Sequence, residues 1–118
     1  MIRVTIWNEH DQDRGETPED NVPRNPAIRA VHPHGINETL RGVFAPCTDM
    51  EITLATQDME GEGLSDELLD RTDVLVYWAH CLHEQLSDAA AERVRQHVLH
   101  GMGFMPLHSC LLYTSRCV

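Results

Sequence analysis

The segment from Asp73 to Ala79 constrains the fold more than any other part of the chain, because the residues between its ends are apolar without interruption. A strand with one face in water alternates apolar and polar side chains, whereas a strand covered on both faces is apolar throughout. Such strands are typical of parallel sheets, in which crossover helices connect neighbouring strands. The segment therefore predicts a parallel sheet covered by helices on both faces.

The rest of the chain alternates strand and helix patterns, as this prediction requires. Strand patterns recur at residues 2–7, 50–56 and 102–107, and helical spacing or helix caps mark residues 35–44, 65–69 and 87–101. This alternation fits right-handed βαβ units, so we predict an α/β fold with an open, doubly wound, flavodoxin-like sheet. Residues 8–26 lack a periodic pattern and are predicted to form a long surface loop, either functional or a tolerated insertion.

The last predicted helix begins after Ser87, a residue type that commonly caps helix N-termini. Within this helix, Ala91, Val94 and Val98 recur at a spacing that favours one buried face. We therefore expect these three side chains to pack against the sheet.

The charge of the chain limits its partners. Nineteen acidic residues stand against nine basic ones, all of them arginine, which leaves a net charge of −10. Such a chain repels phosphate backbones and anionic lipid, so we expect no binding to nucleic acid or to membranes. The longest apolar run is far shorter than the about 18 residues of a membrane helix, and no leader pattern is present, so a cytoplasmic protein with reduced cysteines is expected.

Several polar residues follow directly after the predicted strands. Ligands of open parallel sheets bind beyond the carboxyl ends of the strands, an edge that we call the carboxyl edge. The residues expected there are Asn8, Glu9, His10, Gln57, Asp58, Glu60, His80, Cys81, His83, His108, Ser109 and Cys110. Three of the strands thus deliver histidine to one edge of the sheet.

A carboxylate beside imidazole groups supports more than one chemistry. Glu9, His80 and His108 are a donor set that zinc or a similar divalent metal accepts. Without a metal, the same groups could transfer protons on a sugar. Histidines with a purely structural role are the third interpretation, and spacing alone leaves all three open.

Cys110 follows a predicted strand, where amidotransferase-like enzymes carry a nucleophilic cysteine. The small residues that such a strained turn needs are missing at positions 108 and 112. We therefore do not expect Cys110 to be a nucleophile.

Most of the chain, from residue 2 to residue 109, resembles one known family. The stretches that carry the resemblance are Val4-Thr-Ile-Trp-Asn-Glu9, His34-Gly-Ile36, Leu64 to His80, His83, Val98-Leu-His-Gly-Met-Gly103 and Leu107-His-Ser109. In order and spacing they resemble the trehalose-utilisation protein (ThuA) family, a flavodoxin-type branch of the class I glutamine-amidotransferase-like proteins. The resemblance implies a role in trehalose or disaccharide catabolism, alongside a sugar-oxidising dehydrogenase, and homo-oligomers for the full-length protein.

The resemblance also implies a site. Its expected catalytic residues, which would also hold a metal, are Glu9, His80 and His108, and its expected substrate-binding residues are Trp7, Asn8, His34, His83 and Ser109. The implied activity is acid–base or metal-assisted chemistry on a sugar or keto sugar. The alternative is a non-catalytic module that binds a carbohydrate or a dehydrogenase partner.

The chain departs from the family pattern in two places. Asn37 stands where relatives carry a histidine, and an amide neither titrates nor readily binds zinc. Residues 110–118 match nothing in the family, so we expect residues 1–109 to be the N-terminal portion of a ThuA-like domain with an unrelated tail. Such a fragment is expected to be inactive and to leave Met102, Phe104 and neighbouring apolar residues partly exposed, a patch that favours association.

Overall fold

A computed structural model describes residues 1–11, 13–17, 20, 22–80 and 85–108, with the backbone alone at His108. The strands are β1 Ile2–Asn8, β2 Met50–Thr56, β3 Val74–Trp78 and β4 Gly103–His108, and the helices are α1 Pro26–Val31, α2 Ile36–Phe44, α3 Asp66–Asp70 and α4 Asp88–Leu99. A short 3-10 turn covers Glu60–Gly63. The four described strands are all parallel in the order β2-β1-β3-β4. This confirms the predicted flavodoxin-like α/β class.

One face of the sheet packs against α2. Val4 and Ile6 of β1 and Val76 of β3 form its buried centre, and Leu40 and Phe44 of α2 pack against them. Successive side chains of a strand point to opposite faces, so the residues between these contribute to the other face.

The opposite face packs against α3 and α4. Trp7, Leu75 and Tyr77 cluster there with Leu69 of α3 and Ala90 of α4. The rings of Trp7 and Tyr77 stack with centroids 4.6 Å apart and planes 7° apart. Because β3 contributes buried side chains to both faces, the interpretation of its apolar run as a covered parallel strand is confirmed.

Helix α1 is not among the elements predicted from the sequence. Asn25 caps it by accepting a hydrogen bond from the Ala27 N–H at 2.9 Å, and Pro26 occupies the first turn. None of its residues is buried, so no apolar periodicity marks it. The Asn-Pro pair was the signal that could have revealed it, since both residues favour helix N-termini.

The buried face of α4 differs from the predicted one. Ala90 is fully buried and Val94 packs against the core, whereas Ala91 is exposed and Val98 is 39% exposed. The prediction for Ala91 and Val98 is therefore wrong. Ala90, Val94 and His97 recur at the spacing of one helix face, and His97 Nε2 lies 3.1 Å from Asp66 Oδ1 of α3, so the covered face is offset from the predicted one.

Strand β4 carries exposed apolar residues, as expected, but Met102 is not one of them. Met102 is buried and Phe104 packs against Tyr77, with ring centroids 5.6 Å apart, so the prediction of an exposed Met102 is wrong. The exposed apolar residues are Met105 and Leu107, at 45% and 43%. Met105 pairs with Val76 and so lies on the α2 face, where it is far less covered than its partner.

Candidate functional site

The carboxyl edge is the place where the predicted site residues meet. Asn8 at the end of β1 pairs with Thr56 of β2 and with Trp78 of β3, and Trp78 pairs with His108 of β4. The C-terminal ends of all four strands therefore lie side by side along one edge of the sheet. Glu9 follows directly after β1 at this edge.

Glu9 and His80 contact each other across two neighbouring strands. The Glu9 Oε1 atom accepts a hydrogen bond from the backbone N–H of His80 at 2.9 Å, and the Glu9 N–H donates to the Trp78 carbonyl at 3.3 Å. Glu9 is only 1% exposed, whereas His80 is an exposed residue. This contact uses the backbone N–H of His80 and not its imidazole.

The imidazole of His80 lies beside Trp78, with ring centroids 6.3 Å apart and an angle of 41° between the planes. His108 reaches the same edge through the backbone of β4.

The predicted metal site remains a prediction. Within residues 1–80 and 85–108, apart from positions 12, 18, 19 and 21, no three His, Cys, Asp or Glu side chains cluster as metal ligands. The predicted set includes His108, whose side chain lies outside this description. By chemistry alone, one carboxylate and two imidazoles fit zinc, although one Glu9 oxygen already accepts the His80 N–H.

Trp7 and Asn8, both predicted to bind substrate, are buried beneath the edge. Trp7 stacks on Tyr77, and its indole Nε1–H donates to the Glu62 carbonyl at 2.8 Å. Asn8 is 1% exposed and donates from Nδ2 to Asp13 Oδ2 at 3.1 Å. These contacts hold both side chains in the buried layer directly beneath the carboxyl edge, which we call the floor of the site.

Asp13 connects this floor to α2. The same oxygen, Oδ2, accepts the backbone N–H of Ile36 at 2.7 Å, so the carboxylate satisfies a donor in the first turn of α2. A negative charge is favourable at this end of a helix. Asp13 therefore fixes the start of α2 against the end of β1.

Asn37, which stands where the family carries a histidine, is buried in α2 and donates from Nδ2 to the Ala55 carbonyl at 2.9 Å. This contact joins α2 to β2. The described role of Asn37 is structural.

His34 lines a surface cleft of about 480 Å³ just before α2, together with Pro33, Glu38 and Thr39. Its neighbour His32 shares a hydrogen bond with the Thr39 hydroxyl at 2.9 Å. His34 is exposed, so its imidazole is accessible to a ligand in this cleft.

The structure adds a pair that the predicted site residues did not include. The Nδ1 atom of His10 donates to Asp58 Oδ2 at 2.9 Å, and the Thr56 hydroxyl donates to the other Asp58 oxygen. Burial raises the pKa of Asp58, but the hydrogen bonds from Thr56 and His10 outweigh it and hold the pKa below its ordinary value. Each residue lies two positions beyond the end of a strand, which was the signal that placed them at the carboxyl edge.

Several predicted residues lie outside the described part of the chain. These are Cys81, His83, Ser109, Cys110 and the tail 110–118. Their roles remain predictions.

No protein-family model and no curated protein matches the chain. The resemblance to the ThuA family therefore depends on the stretches quoted above. No helix within the described residues is both long and apolar enough to cross a membrane.

Proposed function

We propose that this chain is a ThuA-like domain that acts on a sugar or keto sugar by acid–base chemistry at the carboxyl edge. The observation that carries the proposal is the 2.9 Å hydrogen bond between Glu9 and the His80 backbone, which joins two strand ends beside a third that ends in His108. Titratable groups gathered at the ligand-binding edge of a parallel sheet favour a reactive site.

In this proposal, the role of each site residue follows from how exposed its side chain is. His80 is exposed and exchanges a proton with a sugar hydroxyl, and His108 is its partner from β4. Glu9 is buried and positions the backbone of His80. A divalent metal such as zinc, held by Glu9, His80 and His108, would polarise a sugar oxygen when bound.

The remaining predicted contacts belong to substrate binding. His34 offers an exposed imidazole in the cleft before α2, and Trp7 and Asn8 support the floor. His83 and Ser109 enter the proposal through the family resemblance alone. A cytoplasmic sugar dehydrogenase that supplies the keto sugar, and self-association of the protein, are the partners that the proposal implies.

One observation favours a second function, a non-catalytic module that binds a carbohydrate or a dehydrogenase. Glu9 is 1% exposed, and the hydrogen bond described for its carboxylate goes to a backbone N–H. A buried carboxylate with such a contact also suits a purely structural role.

NMR titration of the chain with trehalose and with its keto derivative tests the proposal. We expect the His80 ring signals of this chain to shift, and we expect a full-length relative, but not this fragment, to convert the keto sugar. His80→Gln should abolish conversion in the full-length protein and keep the fold, because the contact to Glu9 uses the backbone of residue 80. His100→Gln, at the exposed end of α4, is the matched control and should change neither.

Binding without conversion would support the module. If neither sugar shifts any signal at the carboxyl edge, the proposed function is wrong.

A further inference from the structure

We propose that Asp13, Asn37 and Gln57 hold a metal cation of the calcium class between the end of β1 and the start of α2, through one carboxylate oxygen and two amide oxygens. We call these three residues the oxygen corner. The inference goes beyond the proposed function and does not depend on it, because the oxygen corner shares no residue with the sugar site.

The oxygen corner is marked by side-chain oxygens that are buried and accept no hydrogen bond. These atoms are Asp13 Oδ1, Asn37 Oδ1 and Gln57 Oε1. Asp13 is 3% exposed and Asn37 is 7% exposed, so bulk water does not solvate their side chains. Nearly all buried polar groups of folded proteins have a partner, because leaving one unpaired is costly. The three oxygens therefore call for a donor or a cation among them.

Described hydrogen bonds bring the three residues to one place in the fold. Asp13 Oδ2 accepts the Ile36 N–H at 2.7 Å and the Asn8 Nδ2–H at 3.1 Å, and Ile36 directly precedes Asn37 in the first turn of α2. The Gln57 N–H donates to the Asn8 carbonyl at 3.1 Å. Asn8 and Ile36 thus connect all three members of the oxygen corner.

The contacts at the other end of two of these side chains fix which atoms remain available. The Nδ2 atom of Asn37 donates to the Ala55 carbonyl at 2.9 Å, so the amide presents its oxygen on the opposite side. Asp13 uses Oδ2 for both of its hydrogen bonds, which leaves Oδ1. Both groups are therefore held in place and offer acceptors only.

The charge of Asp13 favours a cation over a water molecule. Among the residues that the structure describes, no arginine or histidine forms an ion pair with Asp13. Arg14, the next residue, is exposed and donates to the His10 carbonyl at 3.2 Å. A water molecule brings two hydrogens to three acceptors and no positive charge, whereas buried charges in proteins are paired or coordinate metals.

The ligand types select the class of metal. Ca²⁺ binds carboxylate, amide and backbone carbonyl oxygens, whereas zinc prefers nitrogen and sulfur, and Mg²⁺ is seldom held by protein ligands alone. The oxygen corner thus differs in chemistry from the predicted zinc set of Glu9, His80 and His108. With a single carboxylate it should bind weakly, so we expect a Kd of about 10⁻⁴–10⁻³ M for Ca²⁺.

Titration of the whole chain with Ca²⁺, after a chelator has removed bound metal, tests the proposal by ¹H–¹⁵N NMR. We expect the side-chain amide signals of Asn37 and Gln57 to shift and to saturate, whereas Mg²⁺ at the same concentrations should leave them in place. In urea unfolding, Ca²⁺ at ten times its Kd should raise the folding equilibrium constant about tenfold.

Two variants change the oxygen corner in opposite directions. Asp13→Asn should keep the fold and lose the response to Ca²⁺, because its amide oxygen can accept the two hydrogen bonds of Oδ2 and its NH₂ group then replaces Oδ1. Gln57→Glu adds a second carboxylate and should lower the Kd by about tenfold. Asp70→Asn, at a residue whose side chain is 72% exposed, is the matched control and should respond as the wild type does.

The possible outcomes are distinct. If the amide signals of Asn37 and Gln57 stay in place up to about 10 mM Ca²⁺, well above the expected Kd, water satisfies these oxygens and the proposal is wrong. An equal response to Mg²⁺, or a response that persists in Asp13→Asn, also overturns it, since general binding to an acidic surface then accounts for the shifts. If Asp13→Asn fails to fold, Gln57→Glu decides: tighter binding supports the site, and an unchanged Kd contradicts it.

Discussion

Removing the Asp13 carboxylate should destabilise the floor of the site, because one oxygen of this residue serves two elements. Asp13 Oδ2 accepts the Ile36 N–H at 2.7 Å and the Asn8 Nδ2–H at 3.1 Å, and the residue is 3% exposed. In Asp13→Ala both donors lose their acceptor in a place that water does not readily reach.

The size of the effect follows from these two contacts. A hydrogen bond to a charged group contributes about 1.5–3 kcal/mol, and loss of a helix cap costs about 1 kcal/mol. Since the two bonds share one oxygen, their effects are not additive. We therefore expect the free energy of unfolding to fall by about 3 kcal/mol, a large part of the about 5–15 kcal/mol of a small domain.

Asp13→Asn is the matched control. Its amide oxygen can occupy the place of Oδ2 and accept both hydrogen bonds, so mainly the charge at the start of α2 is lost, which corresponds to about 1 kcal/mol or less. Urea unfolding followed by circular dichroism measures both values. If Asp13→Ala is as stable as the wild type, or Asp13→Asn is equally damaging, the reasoning from the shared oxygen is refuted.

Two further predictions concern the stability of the fold. Arg3 holds the pKa of Asp73 at about 2, first through its side-chain hydrogen bond and then through its backbone N–H, so the folded pKa lies below the unfolded one of about 3.9. The contribution of this pair should be complete above pH about 4 and be lost as the pH falls toward about 2, and acid titration of unfolding should show this in the wild type but much less in Arg3→Gln. Leu69→Ala, at a residue 1% exposed, should lower the free energy of unfolding by about 3 kcal/mol. Leu99→Ala, at a residue 65% exposed, should change it little, and equal effects in urea unfolding would contradict the assignment of the core.

The fold class could be predicted because its main signals are local. The apolar run before Ala79 requires cover on both faces, and residues 2–7 and 50–56 alternate as strands do. Helix α1 was missed because a short exposed helix has no apolar period. The buried face of α4 was predicted wrongly because its covered residues include His97, a polar residue that contacts Asp66 of α3, a partner distant in the chain.

The sequence predicted where the candidate site lies better than it predicted the role of each residue in it. Strand ends identify the residues at the carboxyl edge, and these include His10 and Asp58 as well as Glu9 and His80. Their order along the chain does not show which pairs share a hydrogen bond. The choice of Glu9 as a catalytic residue rested on the family resemblance, whereas the structure buries Glu9 and directs its carboxylate to the backbone of His80, which suits a positioning residue.

The amino-acid sequence by itself determined that the chain forms strands and helices in alternation and that polar groups collect where the strands end. These properties depend on how often apolar side chains recur along the chain and on residues that are close in sequence. Only the tertiary structure decided that Asp58 contacts His10, 48 residues away, and that Glu9 contacts the backbone of His80, 71 residues away. The reason is that strand order and register determine which residues of different strands come into contact. Strand order and register in turn depend on packing across the whole sheet.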